Sequence, residues 1–434
     1  MPTTRADSYS AASGGGIYAG VDAPANIPAS GVARTFAMIG DSMNSLAFGG
    51  GAIRWVNGMM GAPFILLANS AFNGRTLFQL SGELANSYKA TETPGLGGLP
   101  ALGWLFIEIG TATARGTDDS PGVELTPELE GYFHTLVDDA LNYAEVVVLG
   151  GLQPLGGVGD LANKSACFGR WNAFIENLAV THASGRVYYI YDGADLADEN
   201  GAVYTQFYLS DRGHNNDAGN RQRALSSLSQ WQALLANQSY ASRLVTDAAD
   251  VYPATTQWNP NVTMSGTGGT KGSGWSGTLP DGFYVETYGV GLSGSCSIVA
   301  ADVGDANQVP WLRITQSTTD VAGAVSLNWD GSGRTLTDTD PETLDQLIQI
   351  RFNSLTKAQE IWYWTQSTSG QRITEIAKVG WSGNDTLTET ITLHQKQYRL
   401  APTATGGTKH YLYLFNSGSG GTGSLDIRCP SVRG

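Results

Sequence analysis

Five short apolar runs punctuate the first half of the chain, and each ends at a small or turn-forming residue. They are TFAMIG (35–40), PFILLANS (63–70), GWLFIEIG (103–110), AEVVVLGG (144–151) and RVYYIYD (186–192). Runs of this length that are almost continuously apolar read as strands buried on both faces. Between them the spacing changes to a helical period in GAIRWVNGMMG (51–61), ELEGYFHTLVDDALNYA (128–144) and CFGRWNAFIENLAVTHA (167–183). A last helix is predicted over 217–238, with Asp217 as its N-cap. Strands alternating with helices predict an α/β unit built on a parallel sheet.

Beyond about residue 240 the pattern changes. Residues 239–260 read as a linker, and from 261 to 434 Gly, Ser and Thr dominate while helical periodicity fades. GFYVETYGV (282–290), PWLRITQS (310–317), LIQIRFNSL (347–355), EIWYWTQS (360–367) and KHYLYLFNS (409–417) alternate as half-buried strands do. Short strands with glycine turns predict an all-β sandwich, a jelly roll. The stretch MSGTGGTKGSGWSGTLPDG (264–282) reads as a long surface loop or a series of β-turns. The first residues, 1–33, rich in Ala, Gly, Ser and Pro, read as an extended arm. The resulting division is 1–33 arm, 34–238 α/β domain, 239–260 linker and 261–434 β-sandwich.

Composition narrows the function. With 434 residues, of which 41% are hydrophobic and 15% charged, the chain has material for more than one core. A formal net charge of −14 argues against nucleic acid or an anionic membrane as partner, since both need a cationic surface. No apolar h-region and no membrane-length apolar run is visible, so neither a cleavable signal nor membrane insertion is expected. Three cysteines, Cys167, Cys296 and Cys429, are too few for a disulfide framework. Cys296 and Cys429 form a pair only if the fold makes them neighbours; free, buried thiols are the expectation. No cluster has zinc-ligand spacing, and no metal or organic cofactor is implied.

The candidate chemistry sits at the ends of the first apolar run and before the last helix. In IGDSMNS, Ser42 follows the first strand, where a hydroxyl is either a nucleophile or part of a turn. In DRGH, Asp211 precedes His214 by three residues, so one loop can present an imidazole while the carboxylate holds its Nδ1–H. His134 and His182 fall in helical patterns and read as ordinary helix or surface residues. Asp118-Asp119 reads as a solvated loop pair. Arg75 and Arg115 read as surface ion-pairing residues, or as the rim of a pocket.

Taken together, these blocks resemble the SGNH (GDSL-type) hydrolase family over about residues 35–236. IGDSMNS resembles its nucleophile block and DRGH its last block. NSAFNGRT resembles its second block, with Asn69, Gly74 and Thr76 in register and Ala71 in place of the first glycine. In FIEIGTATARG, Gly110 fits the third block, but Ala112 stands where the family has asparagine and Thr113 where it has aspartate.

The resemblance implies a flavodoxin-like three-layer α/β fold and serine ester hydrolysis, with Ser42, His214 and Asp211 as the catalytic triad. It also implies an oxyanion hole made by the backbone N–H groups of Ser42 and Gly74. The third donor, a side-chain amide, is absent at Ala112; Asn73, Thr111 and Thr113 are the candidate substitutes.

Seven of the eleven tryptophans lie after residue 250. Period-2 alternation puts Trp362 and Trp364 on one strand face and Tyr363 on the other, either stacking on sugar rings or filling the core. The β-region looks similar to jelly-roll carbohydrate-binding modules. With the arm and the missing signal, the whole chain looks similar to phage tail-fibre or tailspike esterases. That implies deacetylation of a polysaccharide, trimeric assembly, attachment to other tail proteins through the arm, and a place in the virion tail; a chain that is not viral is expected in the cytoplasm. Two rival readings are a non-catalytic glycan receptor-binding protein and an intracellular lipase or thioesterase.

Overall fold

The computed structural model describes residues 28, 30–44, 51–71, 74–84, 101–116, 122–155, 161–198, 202–211, 213–240, 244, 259, 261–288, 292–305, 307–318, 323–336, 344–356, 358–367, 372–380, 386–397, 406–416 and 423–433. The arm up to residue 27, most of the linker, Asp118, Asp119 and Asn73 lie outside them. The chain divides into two compact units. One comprises Met1–Val56 and Leu66–Tyr240, the other Asn57–Ile65 and Ala241–Gly434. The short segment 57–65 therefore groups with the second unit, although it lies among the first unit's residues in sequence.

The first unit is built on a five-stranded sheet of β1 (Thr35–Gly40), β2 (Ile65–Ala71), β3 (Leu102–Glu108), β4 (Ala144–Gly150) and β5 (Val187–Ile190). Its order is β2-β1-β3-β4-β5, and the β1–β3, β3–β4 and β4–β5 pairs are parallel. This is the flavodoxin-like order, in which the first strand lies inside the sheet and its carboxyl end opens at the point where the winding reverses. Every residue of β3 is buried, as are Phe36 to Gly40 of β1, so both sheet faces are covered.

The covering helices are α1 (Ile53–Met59), α2 (Leu77–Glu83), α3 (Thr111–Arg115), α4 (Pro127–Ala140), α5 (Leu161–Thr181) and α6 (Asp217–Leu234). Trp231 of α6 packs on Phe36 and Phe106, with ring centroids 6.2 and 5.8 Å apart. Phe133 of α4 meets Trp171 and Phe174 of α5 at 6.0 and 5.8 Å. The short helices α2 and α3 are not visible in the hydrophobic pattern, because five to seven residues carry too little periodicity. Among the described residues, no helix is long and apolar enough to cross a membrane.

One cap differs from expectation. Asn216, not Asp217, is the N-cap of α6. Its side-chain oxygen accepts the Gly219 N–H at 2.9 Å, and its amide donates to the Gln206 carbonyl at 2.7 Å and the Tyr208 carbonyl at 3.3 Å. An amide can do both; an aspartate in that position has no hydrogen to donate to the two carbonyls.

The second unit is a sandwich of two six-stranded sheets. β7 (Trp275–Gly277), β9 (Leu292–Val299), β10 (Trp311–Thr318), β12 (Leu344–Asn353), β15 (Thr390–Gln397) and β17 (Ser424–Arg433) form one sheet. β6 (Gly268–Lys271), β8 (Leu279–Tyr288), β11 (Gly323–Leu336), β13 (Ala358–Ser367), β14 (Arg372–Gly380) and β16 (Gly406–Asn416) form the other. The chain passes repeatedly between the sheets, as in a jelly roll.

The glycine-rich stretch 264–282 is thus not a loop. It supplies the edge strands β6 and β7, one to each sheet, and the start of β8. Tyr363 is fully buried and donates its hydroxyl to the Ser431 carbonyl across the sandwich at 3.3 Å. Trp329 lies against Phe283 and Tyr363 in the same core. Trp362 and Trp364 take the opposite register positions, paired with Tyr413 and Tyr411. The three cysteines are free and buried, so Cys296 and Cys429 are not a disulfide.

Candidate active site

The site grows from the carboxyl end of β1. Gly40 lies against β3 so closely that a Cβ there would sit 2.1 Å from the Glu108 carbonyl oxygen, so a side chain is excluded. The chain then turns, and Asp41 points inward and is fully buried. Its carboxylate accepts the N–H of Met43 at 3.1 Å and that of Thr111 at 3.0 Å. Asp41 therefore fastens the turn after β1 to the start of α3. Burial pushes its pKa up, against the backbone N–H groups of Met43, Ala112, Thr111 and Gly110, which hold it down. Ser42 opens the single 3-10 turn that follows, Ser42–Asn44.

The imidazole arrives from the loop before α6. The Leu209 N–H donates to the His214 carbonyl at 2.8 Å, and Tyr208 bridges to Asn215, closing a compact bend. Within it, Asp211 accepts the N–H groups of Gly213 at 2.9 Å and His214 at 3.1 Å on one oxygen. Its other oxygen lies 2.6 Å from His214 Nδ1. His214 Nε2 is 2.8 Å from Ser42 Oγ. Burial tends to raise the Asp211 pKa, but the hydrogen bonds from the His214 ring and the two N–H groups outweigh it, and the carboxyl is held below its ordinary value. An ionised carboxylate only accepts, so Nδ1 carries the hydrogen and Nε2 presents a lone pair to the serine hydroxyl.

Ser42 and His214 open into a pocket of about 430 Å³ that is also lined by Met43, Gly74, Thr111, Ala112, Arg115 and Leu155. Gly74 has φ +74°, a left-handed conformation that glycine adopts at least cost. Of the remaining sequence candidates, Thr76 caps α2: its hydroxyl accepts the Gln79 N–H while the Gln79 side chain accepts the Thr76 N–H. Thr113 is held by α2, its hydroxyl oxygen accepting the Leu77 N–H at 3.1 Å, and it is not among the residues lining the pocket. Arg115 reaches the pocket lining, whereas Arg75 does not. His134 packs edge-on against Phe174. His182, read from the sequence as an ordinary helix or surface residue, meets Asp138 at 3.2 Å because the end of α5 lies beside α4.

Sequence reasoning missed the buried charges behind the serine. Arg223 of α6, fully buried, donates to Glu108 at 2.6 Å, to Asp192 at 2.9 and 3.1 Å, and to the Met43 carbonyl at 3.4 Å. Glu108 accepts in turn from the Asn44 amide, and Asp192 from the Gln153 amide. One guanidinium thus ties the serine turn, the end of β3 and the helix behind His214 together. Burial, with Asp192 and Asp41 nearby, pushes Glu108 up to about 7 despite Arg223. Burial opposes the charge on Arg223, but Asp192 and Glu108 prevail and its pKa is raised. The available signal was Glu108 itself, a lone carboxylate ending an otherwise apolar strand.

The arrangement can carry acyl transfer. A serine, an imidazole and a carboxylate are hydrogen-bonded in series at the open end of a parallel sheet. No protein-family profile matches this chain, and no curated protein does. Solved structures of low similarity do. One is a variant of Axe2, an acetyl-xylooligosaccharide esterase from Geobacillus Stearmophilus, with 16% identity over 49% of this chain and 99% of that one, TM-score 0.37. Another concerns carbohydrate-binding modules of the β-sandwich superfamily, with 14% identity over 35% of this chain and 56% of that one, TM-score 0.26. A third is the enzymatically active domain of tailspike protein 4 of bacteriophage CBA120, with 10% identity over 35% of this chain and 19% of that one, TM-score 0.24. Scores of this size say nothing about what this chain does.

Proposed function

We propose that this protein is a serine ester hydrolase that removes O-acyl groups, O-acetyl foremost, from a polysaccharide. The observation that carries the reading is the relay Ser42–His214–Asp211, with contacts of 2.8 and 2.6 Å. In this reading Ser42 Oγ attacks the ester carbonyl carbon as its proton passes to His214 Nε2. The resulting tetrahedral species collapses with cleavage of the bond to the sugar oxygen, and His214 returns the proton to that leaving alkoxide. Asp211 holds the ring in its tautomer and stabilises the imidazolium. Water then repeats the sequence on the acyl-enzyme. The pocket volume suits a small acyl group with part of a sugar.

The β-sandwich is read as the glycan-holding unit, which would raise the effective concentration of polymer near the esterase unit. Support for this part comes from the strand register, which sets Trp362 and Trp364 beside Tyr413 and Tyr411. Carriage on a phage tail as a trimer is the finer reading, supported by the composition of the arm and tested by sedimentation of the full chain. The test of the enzyme is acetate release from acetylated polysaccharides by wild type and Ser42→Ala. Release that depends on Ser42 is expected; release that Ser42→Ala retains in full defeats the assignment. A second reading, glycan binding without catalysis, is favoured by one observation, alanine at position 112 where the resemblance implies an amide donor. It predicts glycan binding with no acetate release.

A further inference from the structure

When Ser42 attacks a carbonyl, negative charge develops on the carbonyl oxygen, and a donor must meet it. The Ser42 and Gly74 N–H groups make no hydrogen bond among the described residues, so both are available. Ala112 contributes no side-chain donor. The backbone N–H of its neighbour Thr111 is bonded to the buried Asp41 carboxylate at 3.0 Å. The Thr111 N–H at the start of α3 is thus already committed.

Thr111 is different. It is 5% exposed, it lines the same pocket as Ser42, Gly74 and His214, and its hydroxyl has no hydrogen-bond partner among the described residues. A buried hydroxyl without a partner costs stability, on the order of 1–3 kcal/mol. We propose that the Thr111 hydroxyl is the side-chain donor to the developing oxyanion, in place of the amide that Ala112 lacks. The proposal rests on the reading of Ser42 as the nucleophile.

The chemistry balances. The Ser42 Oγ–C bond forms, the carbonyl π pair moves onto oxygen, and the serine proton goes to His214 Nε2. Thr111 donates a hydrogen bond and transfers no proton. The 3.0 Å bond from the Thr111 N–H to Asp41 holds residue 111 next to the residue preceding the nucleophile. A donor held in place before the charge appears is the condition for electrostatic stabilisation of the transition state.

The experiment is steady-state kinetics on p-nitrophenyl acetate with the full chain: wild type, Thr111→Val, Thr111→Ser and Arg115→Gln. The rate of Ser42 phosphorylation by diethyl p-nitrophenyl phosphate is followed by intact mass in the same proteins. Thr111→Val keeps the shape and removes the hydroxyl. It should lower kcat by about 10²-fold, as loss of one such donor does, with KM little changed. Thr111→Ser should recover most of the rate. The proposal is overturned if Thr111→Val keeps wild-type kcat, if Thr111→Ser is as slow as Thr111→Val, or if only Arg115→Gln loses rate. Wild type that neither hydrolyses the ester nor becomes phosphorylated removes the nucleophile itself and the proposal with it. That signature is distinct from an active enzyme indifferent to Thr111→Val.

Discussion

Each unit of the chain buries a carboxylate against arginine, and the proportions are reversed. In the α/β unit one guanidinium, Arg223, serves two carboxylates, Glu108 and Asp192. In the sandwich one carboxylate, Asp426, serves two guanidinium groups, with Arg313 at 2.7 and 2.8 Å and Arg351 at 2.7 and 3.0 Å. Neither Glu108 nor Asp426 exposes surface to solvent, but Glu108 lies deeper in its unit than Asp426 does. Burial raises both, yet Glu108 ends above its ordinary value and Asp426 below its own, because Arg313 and Arg351 outweigh the burial. Deeper burial with a surplus of carboxylates raises Glu108; shallower burial with a surplus of guanidinium groups lowers Asp426.

The two clusters also differ in what they hold. The sandwich cluster joins β10, β12 and β17, and Trp311 beside it takes two further guanidinium contacts, with Arg428 at 4.2 Å and Arg351 at 4.4 Å from the ring centroid. These are lateral ties within one sheet. The α/β cluster instead reaches the Met43 carbonyl and the Asn44 side chain, so it supports the turn that presents Ser42.

The largest effect is expected at Arg223. Arg223→Met leaves Glu108 and Asp192 buried without a cation, and loss of one partner from a buried ion pair costs about 3–5 kcal/mol. Urea denaturation of the α/β unit's transition should show a loss of that order, together with a large fall in esterase activity. Wild-type stability in the variant would mean that the cluster is solvated and does not support the serine turn. Asp426→Asn should cost less, about 2 kcal/mol, because the Arg313 side chain is 34% exposed and Arg351 keeps Asp302 as a partner. Esterase activity on a small ester should be unchanged.

The smallest effect, and the one that sharpens the sign argument, is pH dependence. A carboxyl whose pKa is raised on folding favours the folded state at low pH, and that contribution is lost as pH rises from about 4.5 to about 7. Glu108→Gln should therefore flatten the decline of stability across that window. Asp426 is lowered on folding, so its contribution is present above 3.8 and is lost as pH falls through its lower folded-state value. Asp426→Asn should flatten the acid limb instead. Urea midpoints of wild type and both variants from pH 3 to 8 measure the two slopes; slopes of the same sign would refute the comparison.

Much of this was legible in the sequence. Near-continuous apolar runs are readable because β1 and β3 are covered on both faces, and α4 and α5 are long enough to show a period. Ser42, Asp211 and His214 were legible because each lies in a short block where one element ends and the next begins. What was hidden depends on side-chain direction. Asp41 looks like part of a polar turn, yet it points inward to Thr111. Arg223 looks like one more charge on a polar helix, since α6 as a whole is only weakly amphipathic, and its partners are distant in sequence. The choice of Asn216 over Asp217 as cap turned on two carbonyls that only the folded loop brings near. Edge strands β6 and β7 were hidden because their residues are mostly glycine, serine and threonine, which give no alternation to read.

The central claim is that Ser42 is a nucleophile activated by His214. Intact-mass analysis of the full chain after treatment with diethyl p-nitrophenyl phosphate tests it most directly. One diethylphosphoryl adduct per chain is expected, located on Ser42, absent from Ser42→Ala and strongly slowed in His214→Ala. No adduct, or an adduct that persists at another residue in Ser42→Ala at the wild-type rate, would contradict it.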